Sequence, residues 1–297
     1  MTSIAGKTIL LTGASRGIGA FIARSLAKEK ATIVGISRSK EGLNKIGAEI
    51  TALGGKWVAV NFDISQIEEL PILLEQVNQR VGAVDILINN AGIEIYRAFQ
   101  DYSTVEIQSI LTTNLLAAME LSRLVLPTLL HNNSGHFVNI ASLAGKKSPA
   151  YNSIYAASKA GLIGWSDALR QELAGTGVEI SVICPGYVSQ EGMSANTGVP
   201  VPTLSGISTP EKVALATIKA IKYNQAEVIV NQYFFTEWLT RLLLTLCQFF
   251  PRLGDTVYRW IGVTTLNKMR VTHKTQAANI IGNQSSESNP SQYSTRN

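Results

Sequence analysis

Tyr155 and Lys159 stand four residues apart in Tyr155-Ala156-Ala157-Ser158-Lys159, a spacing that sets a phenol and an ammonium one turn apart on one face of a helix. That pair can move a proton. Hydride delivery to a ketone leaves an alkoxide that must be protonated. A phenol with a free pKa of about 10 suits that work at neutral pH only when a nearby cation favours its ionised form. The spacing alone is weak evidence, because nine tyrosines and 14 lysines in 297 residues predict about 0.4 such pairs by chance. Ser142 adds weight. It ends Asn139-Ile140-Ala141-Ser142, just past an apolar strand pattern, where a hydroxyl can hydrogen-bond a substrate oxygen as charge develops on it. A helix-surface Tyr and Lys beside a strand-end serine cap is the alternative reading of the same residues.

A second cluster begins at the first strand pattern, which runs into Thr12-Gly13-Ala14-Ser15-Arg16-Gly17-Ile18-Gly19 and then a helical pattern. Glycines there let backbone approach a pyrophosphate, and the free N–H groups and dipole of the helix start favour its charge. The spacing is Gly-x-x-x-Gly-x-Gly, not Gly-x-Gly-x-x-Gly. Where the second strand pattern ends, at Ile36-Ser37-Arg38, an acid would accept from the ribose 2′-hydroxyl of NAD, whereas a cation pairs with the 2′-phosphate of NADP. No acid is there. Arg38 and Arg16 supply two guanidinium groups and Ser37 a small donor, so the reading is NADP(H).

With these residues in place, the chain resembles the short-chain dehydrogenase/reductase family. Further positions fit its pattern: Asp63 in Asn61-Phe62-Asp63-Ile64, the turn Asn89-Asn90-Ala91-Gly92, Asn114 in Thr113-Asn114-Leu115, and Pro185-Gly186. The resemblance covers Gly6 to about Val230. It implies one Rossmann-type domain and a catalytic tetrad of Asn114, Ser142, Tyr155 and Lys159, with Asn114 completing a proton relay through Lys159 and water. It places the cofactor along Gly13, Ser15, Arg16, Gly17, Ile18, Gly19, Ser37, Arg38, Asp63, Ile64, Asn90, Ala91, Gly92, Tyr155, Lys159, Pro185, Gly186 and Val188. One departure stands out, since Gln190 occupies the position where the family often has a threonine at the nicotinamide; Ser189 or Gln190 would have to substitute. Within the family the core is similar to ketoacyl reductases. Asn114 to Glu120 and Ala141 to Lys147 resemble the ketoacyl-reductase-like branch associated with heterocyst development.

The elements that must position these residues follow from the apolar pattern. Short β-branched runs alternate with amphipathic stretches, the signature of strand-helix-strand units in a parallel sheet. Seven strands are expected, near Thr8 to Leu11, Ala31 to Ile36, Lys56 to Asn61, Ile86 to Asn89, Gly135 to Ile140, Glu179 to Cys184 and Glu227 to Val230. The expected fold class is α/β: a doubly wound parallel sheet with helices on both faces over residues 1–230, then a helical extension over 231–272. A substrate loop is expected over 187–208, before a helix that Thr209 caps and Pro210 begins. The Ser/Asn/Gln-rich end, 273–297, reads as disordered.

Composition narrows the function classes. Cys184 and Cys247 are the only cysteines, so neither a disulfide framework nor a repeated zinc spacing is present, and no metal is expected. The start lacks a secretion-signal pattern, and a reducing cytosol fits best. The net charge of +5 belongs to the tail, with 7 basic and 3 acidic residues after Val230, which is too little for nucleic acid. In the extension, Trp238, Leu239, Leu242, Leu243, Leu246 and Phe250 recur at helical spacing until Pro251 interrupts, and Leu253, Val257, Trp260 and Ile261 resume it. The run is short of the roughly 20 apolar residues a transmembrane helix needs. It can roof the substrate pocket, pack on another subunit or lie at a membrane surface with Arg241, Arg252 and Arg259. Packing is favoured, and the family resemblance implies a homodimer or homotetramer. The leading function is reduction of a 3-oxoacyl thioester or similar carbonyl. The alternatives are an NADP-binding regulator acting through a partner surface and a membrane-surface reductase of a lipid ketone.

Overall fold

The computed structural model describes residues 2–188, 197–202, 206–231 and 234–272. Each apolar run becomes a strand within a residue of its expected bounds: β1 (Thr8–Thr12), β2 (Thr32–Ser37), β3 (Lys56–Asn61), β4 (Ile86–Asn89), β5 (Gly135–Ile140), β6 (Val178–Pro185) and β9 (Glu227–Val230). They form one parallel sheet in the order β3-β2-β1-β4-β5-β6-β9. The chain winds outward from β1 to β3 and then returns to pair β4 with β1, so the order reverses there and opens a crevice at the carboxyl ends of those strands.

Helices α1 (Gly17–Lys28), α2 (Lys40–Ala52), α3 (Leu70–Val81), α4 (Thr104–Leu111), α5 (Ala117–His131), α6 (Ser153–Glu172) and α7 (Pro210–Tyr223) fill the crossovers. Alternation along the strands divides the core. Ile9 and Leu11 join Ile22, Leu26 and Ile221 on one face, while Leu10 joins Leu73, Leu121 and Phe137 on the other, as a period of two requires. Thr209 caps α7 by accepting from the Lys212 N–H, with Pro210 at its first turn. Between α4 and α5 the helix widens into a π-helical turn over Thr112–Leu116, a local bulge of the kind that often marks a functional position. Asn114 sits in it. The continuous helix Thr104–His131 is the one among the described residues long and apolar enough to cross a membrane, and in this fold Ala117, Leu121, Val125 and Leu129 are buried on its inner side.

Part of the expected substrate loop is ordered as a small sheet: β7 (Tyr187–Val188) pairs with β8 (Ile207–Ser208). Ser189 and Gln190 lie outside the described residues, as does 273–297. Beyond β9 come α8 (Phe234–Phe249) and α9 (Pro251–Trp260), broken at Pro251 as its missing N–H dictates, and residues 263–272 are helical again. Gly254 permits the close crossing of α8 and α9, since a Cβ there would lie 2.9 Å from the Cys247 Cβ. The outward face is uncovered in the single chain. Trp238, Leu242, Leu243, Leu246, Phe250, Leu253 and Trp260 are exposed, because α8 and α9 meet the domain and each other along only part of their circumference.

Candidate active site

The cleft at the strand ends is built from the glycine turn upward. Gly13 adopts φ +68°, and a Cβ on Gly19 would come within 2.2 Å of the Gly13 carbonyl oxygen, so α1 can start this close to β1 only with glycine at both places. Arg16, the residue before α1, makes no side-chain cap, and the first turn of α1 carries no acid. The first N–H groups of α1 are thus left for an anion. Thr12 locks the neighbouring wall: its Oγ1 accepts from the N–H groups of Asn90 and Ala91 at 3.0 Å each, while Asn90 Nδ2 donates to the Thr12 carbonyl at 2.9 Å. That turn holds Asn90, Ala91 and Gly92 at the end of β4.

At the end of β2, the Ser37 and Ser15 hydroxyls lie 2.7 Å apart, and Asn61 Nδ2 donates to the carbonyls of Ser37 and Arg38. Arg38 Nη1 faces the Asp63 carboxylate at 3.8 Å with most of its side chain exposed. Such an ion pair is worth about 0–1 kcal/mol, weak enough for the guanidinium to turn toward a phosphate. Exposed arginines at 16 and 38, free N–H groups and no acid at the end of β2 fit NADP(H) better than NAD(H).

On the other side of the cleft, α6 presents Tyr155 and Lys159 together. Lys159 Nζ donates to the Ile140 carbonyl at 2.8 Å and lies 5.8 Å from the Tyr155 ring centroid. Both are buried. Burial pushes the Tyr155 phenol well above its ordinary value, Glu94 adds to the rise, and a hydrogen bond with Ser142 opposes it. Burial likewise pulls Lys159 down to about 8. The rise at Tyr155 is opposite to the lowering expected from Lys159: without ligand, burial outweighs the cation and favours the protonated phenol. Ser142 leaves β5 in extended conformation, and its hydroxyl accepts from the Ala144 N–H at 3.1 Å.

All the residues expected at the site line this one pocket except Asn114. Asn114 stands behind it, where Nδ2 donates to the Ile93 carbonyl and the Ser158 hydroxyl at 3.0 Å each and Oδ1 accepts from the Ile93 N–H at 2.8 Å. Its side chain thus ties the π-helical turn to the segment after β4 and to α6, with no direct bond to Lys159. Sequence reasoning placed Tyr187 at the start of the substrate loop but missed the rest of the outer half of the pocket: Glu94, Tyr96, Asn152, Tyr258 and Val263. Asn152 Nδ2 donates to Glu94 Oε1 at 2.5 Å. Glu94 and Tyr96 follow the recognised Asn90-Ala91-Gly92 turn directly, which was the available signal; nothing local marks Tyr258 or Val263. No cluster of three or more metal-ligating side chains occurs among the described residues.

A parallel Rossmann-type sheet with this cleft defines a nucleotide-dependent oxidoreductase, and the chain belongs to the short-chain dehydrogenase family, whose model matches residues 7–198. It is 57% identical over 274 residues, 92% of this chain and 96% of the relative, to the "Ketoacyl reductase HetN" of Nostoc sp.. It is 33% identical over 222 residues, 73% of this chain and 90% of the relative, to the 3-oxoacyl-[acyl-carrier-protein] reductase FabG of Vibrio harveyi. A metagenomic short-chain oxidoreductase solved in complex with NADP superimposes with a TM-score of 0.67 at 31% identity, covering 77% of this chain and 98% of that one.

Proposed function

We propose that the chain is an NADPH-dependent reductase that converts a 3-oxoacyl thioester, or a ketone of that kind, to the secondary alcohol. The observation that carries this reading is the Tyr155 phenol, hydrogen-bonded with Ser142 and backed by Lys159, lining a cleft that ends at two exposed arginines. When bound, NADPH supplies the hydride. Ser142 orients the carbonyl and stabilises charge on its oxygen, Tyr155 gives up its proton to that oxygen, and Lys159 makes the resulting phenolate affordable. The Asn114 side chain holds the wall on which a proton relay through Lys159 and water would run. Parallel titration with NADPH and NADH, then NADPH oxidation with a panel of 3-oxoacyl thioesters and simple ketones, tests the reading. Tight NADPH binding with turnover of a 3-oxoacyl thioester is expected. Tight binding with no turnover across the panel shifts weight to a regulator that keeps the fold and acts through a partner surface.

A second reading concerns where the enzyme works. Trp238, Leu242, Phe249, Phe250, Leu253 and Trp260 are all exposed along α8, α9 and the residue between them, and large apolar side chains exposed together mark a protein or membrane contact. Arg252 and Arg259 flank it, exposed, the arrangement of a helix pair lying in the interface of an anionic bilayer. Co-sedimentation with phosphatidylglycerol vesicles should fall about tenfold in Trp238→Ser/Trp260→Ser. Salt-insensitive dimers or tetramers that bury the same face, with no vesicle binding, would overturn this placement in favour of a homo-oligomer.

A further inference from the structure

The family model ends at residue 198, yet the last helical segment reaches back to the pocket. Arg270 is 1% exposed and heads the largest fully buried side chains of the protein. Its Nη1 donates to Asn267 Oδ1 at 2.7 Å and its Nη2 to the Pro200 carbonyl at 2.9 Å, while Nε is buried with no hydrogen-bond partner. The guanidinium carbon lies 5.4 Å from the Tyr96 ring and 5.5 Å from the Tyr187 ring. Asn267, also buried, donates to the Ala150 carbonyl at 2.9 Å and shares a hydrogen bond with the Tyr187 hydroxyl.

Tyr96 and Tyr187 line the pocket in front of Tyr155. Tyr96 follows β4 and Tyr187 is in β7, so two segments far apart in sequence are held by one cation from a third. No carboxylate forms an ion pair with Arg270 within 4.0 Å among the described residues. Ring faces and backbone carbonyls compensate its charge instead, and that compensation works only while the rings stay in place.

We propose that Arg270 is a positioning residue that determines substrate specificity, fixing Tyr96 and Tyr187 as a rigid aromatic wall and thereby making the C-terminal extension part of the substrate pocket. This rests on the reductase reading above and deepens it. Both tyrosines and Glu94 line the pocket that holds Ser142 and Tyr155, so the wall bounds the part of the substrate beyond the reacting carbonyl. The substrate class it fits is a 3-oxoacyl thioester whose acyl tail is apolar and carries no negative charge.

The test compares wild type, Arg270→Met and Arg270→Lys in steady-state reduction of short- and long-tailed 3-oxoacyl N-acetylcysteamine thioesters, with NADPH affinity measured separately. Arg270→Met should raise KM for the preferred thioester about tenfold and flatten the tail-length preference. Its kcat should stay within about threefold and its NADPH Kd within about twofold of wild type. Arg270→Lys should recover part of the preference, because it keeps a cation between the rings. A lowered melting temperature with unchanged KM and unchanged tail preference would overturn the proposal and leave the reductase reading standing. Nitration by tetranitromethane, read by mass spectrometry, supplies a measure that needs no turnover. Arg270→Met should increase modification of Tyr96 and Tyr187 but not of the exposed Tyr223. If wild type reduces no thioester, the reductase reading fails on its own, and unchanged nitration would then overturn the positioning role as well.

Discussion

Replacing Tyr155 by Phe is expected to lower kcat about a thousandfold, within the range by which a positioned general acid accelerates a reaction, while NADPH affinity changes less than about threefold. The ring remains, so the wall of the cleft keeps its shape. Only the hydroxyl that bonds Ser142 is lost. Rapid-quench or steady-state NADPH oxidation, set beside fluorescence titration of NADPH, separates the two quantities, and near-normal turnover by Tyr155→Phe would rule out the phenol as proton donor. The same site sets a pH dependence. Burial lowers Lys159 to about 8, so its positive charge is present below that pH and is lost as pH rises through it. For the free enzyme, kcat/KM should therefore fall above about pH 8. Stability moves the other way: the unfolded lysine, at about 10.4, binds a proton that the folded one has released, so the cost of burying this cation fades between about pH 8 and 10.

The double substitution Arg16→Ala/Arg38→Ala should weaken NADPH binding about a hundredfold and NADH binding less than about threefold. Each charge-assisted contact to a phosphate is worth about 1.5–3 kcal/mol, and 1.4 kcal/mol is about tenfold in affinity. The effect is selective because both side chains stand exposed at the rim of the cleft. The glycine turn beneath them is held by Thr12, Asn90 and backbone. Removing the Arg38 contact to Asp63, at 3.8 Å and largely exposed, costs little stability. Equal losses for the two nucleotides would show that the arginines hold something other than the 2′-phosphate, and a wild-type protein without NADPH preference would remove the role assigned to them.

The inner half of the site was legible because each part of it is local in the chain. Gly13 to Gly19 join one strand to one helix, and Tyr155 and Lys159 lie on adjacent turns of α6. Ser142, Asn90 and Pro185 each sit at a strand's carboxyl end, so once the apolar runs are read as parallel strands, the fold itself brings them to one edge. The outer half has no such local signature. Tyr96, Tyr187, Tyr258 and Arg270 come from four separate segments; composition marked the loop that Tyr187 opens, but a lone tyrosine or arginine in the other three looks like any other. The apolar spacing on α8 announced an amphipathic helix, but the same pattern serves a helix that turns its stripe inward and one that turns it out.

The sequence by itself therefore determined the sheet, the nucleotide turn, the absence of an acid after β2 and the Ser142, Tyr155 and Lys159 set, all of which depend on periodicity or on fixed spacing along one or two elements. Only the tertiary structure decided that Asn114 braces a π-helical turn against Ile93 and Ser158. It alone showed that the extension closes the pocket through Tyr258 and Val263, and that Arg270 is buried between two tyrosine rings. Those facts depend on which surfaces meet across long loops, and the orientation of a helix about its own axis is set by the partners it finds rather than by its own residues.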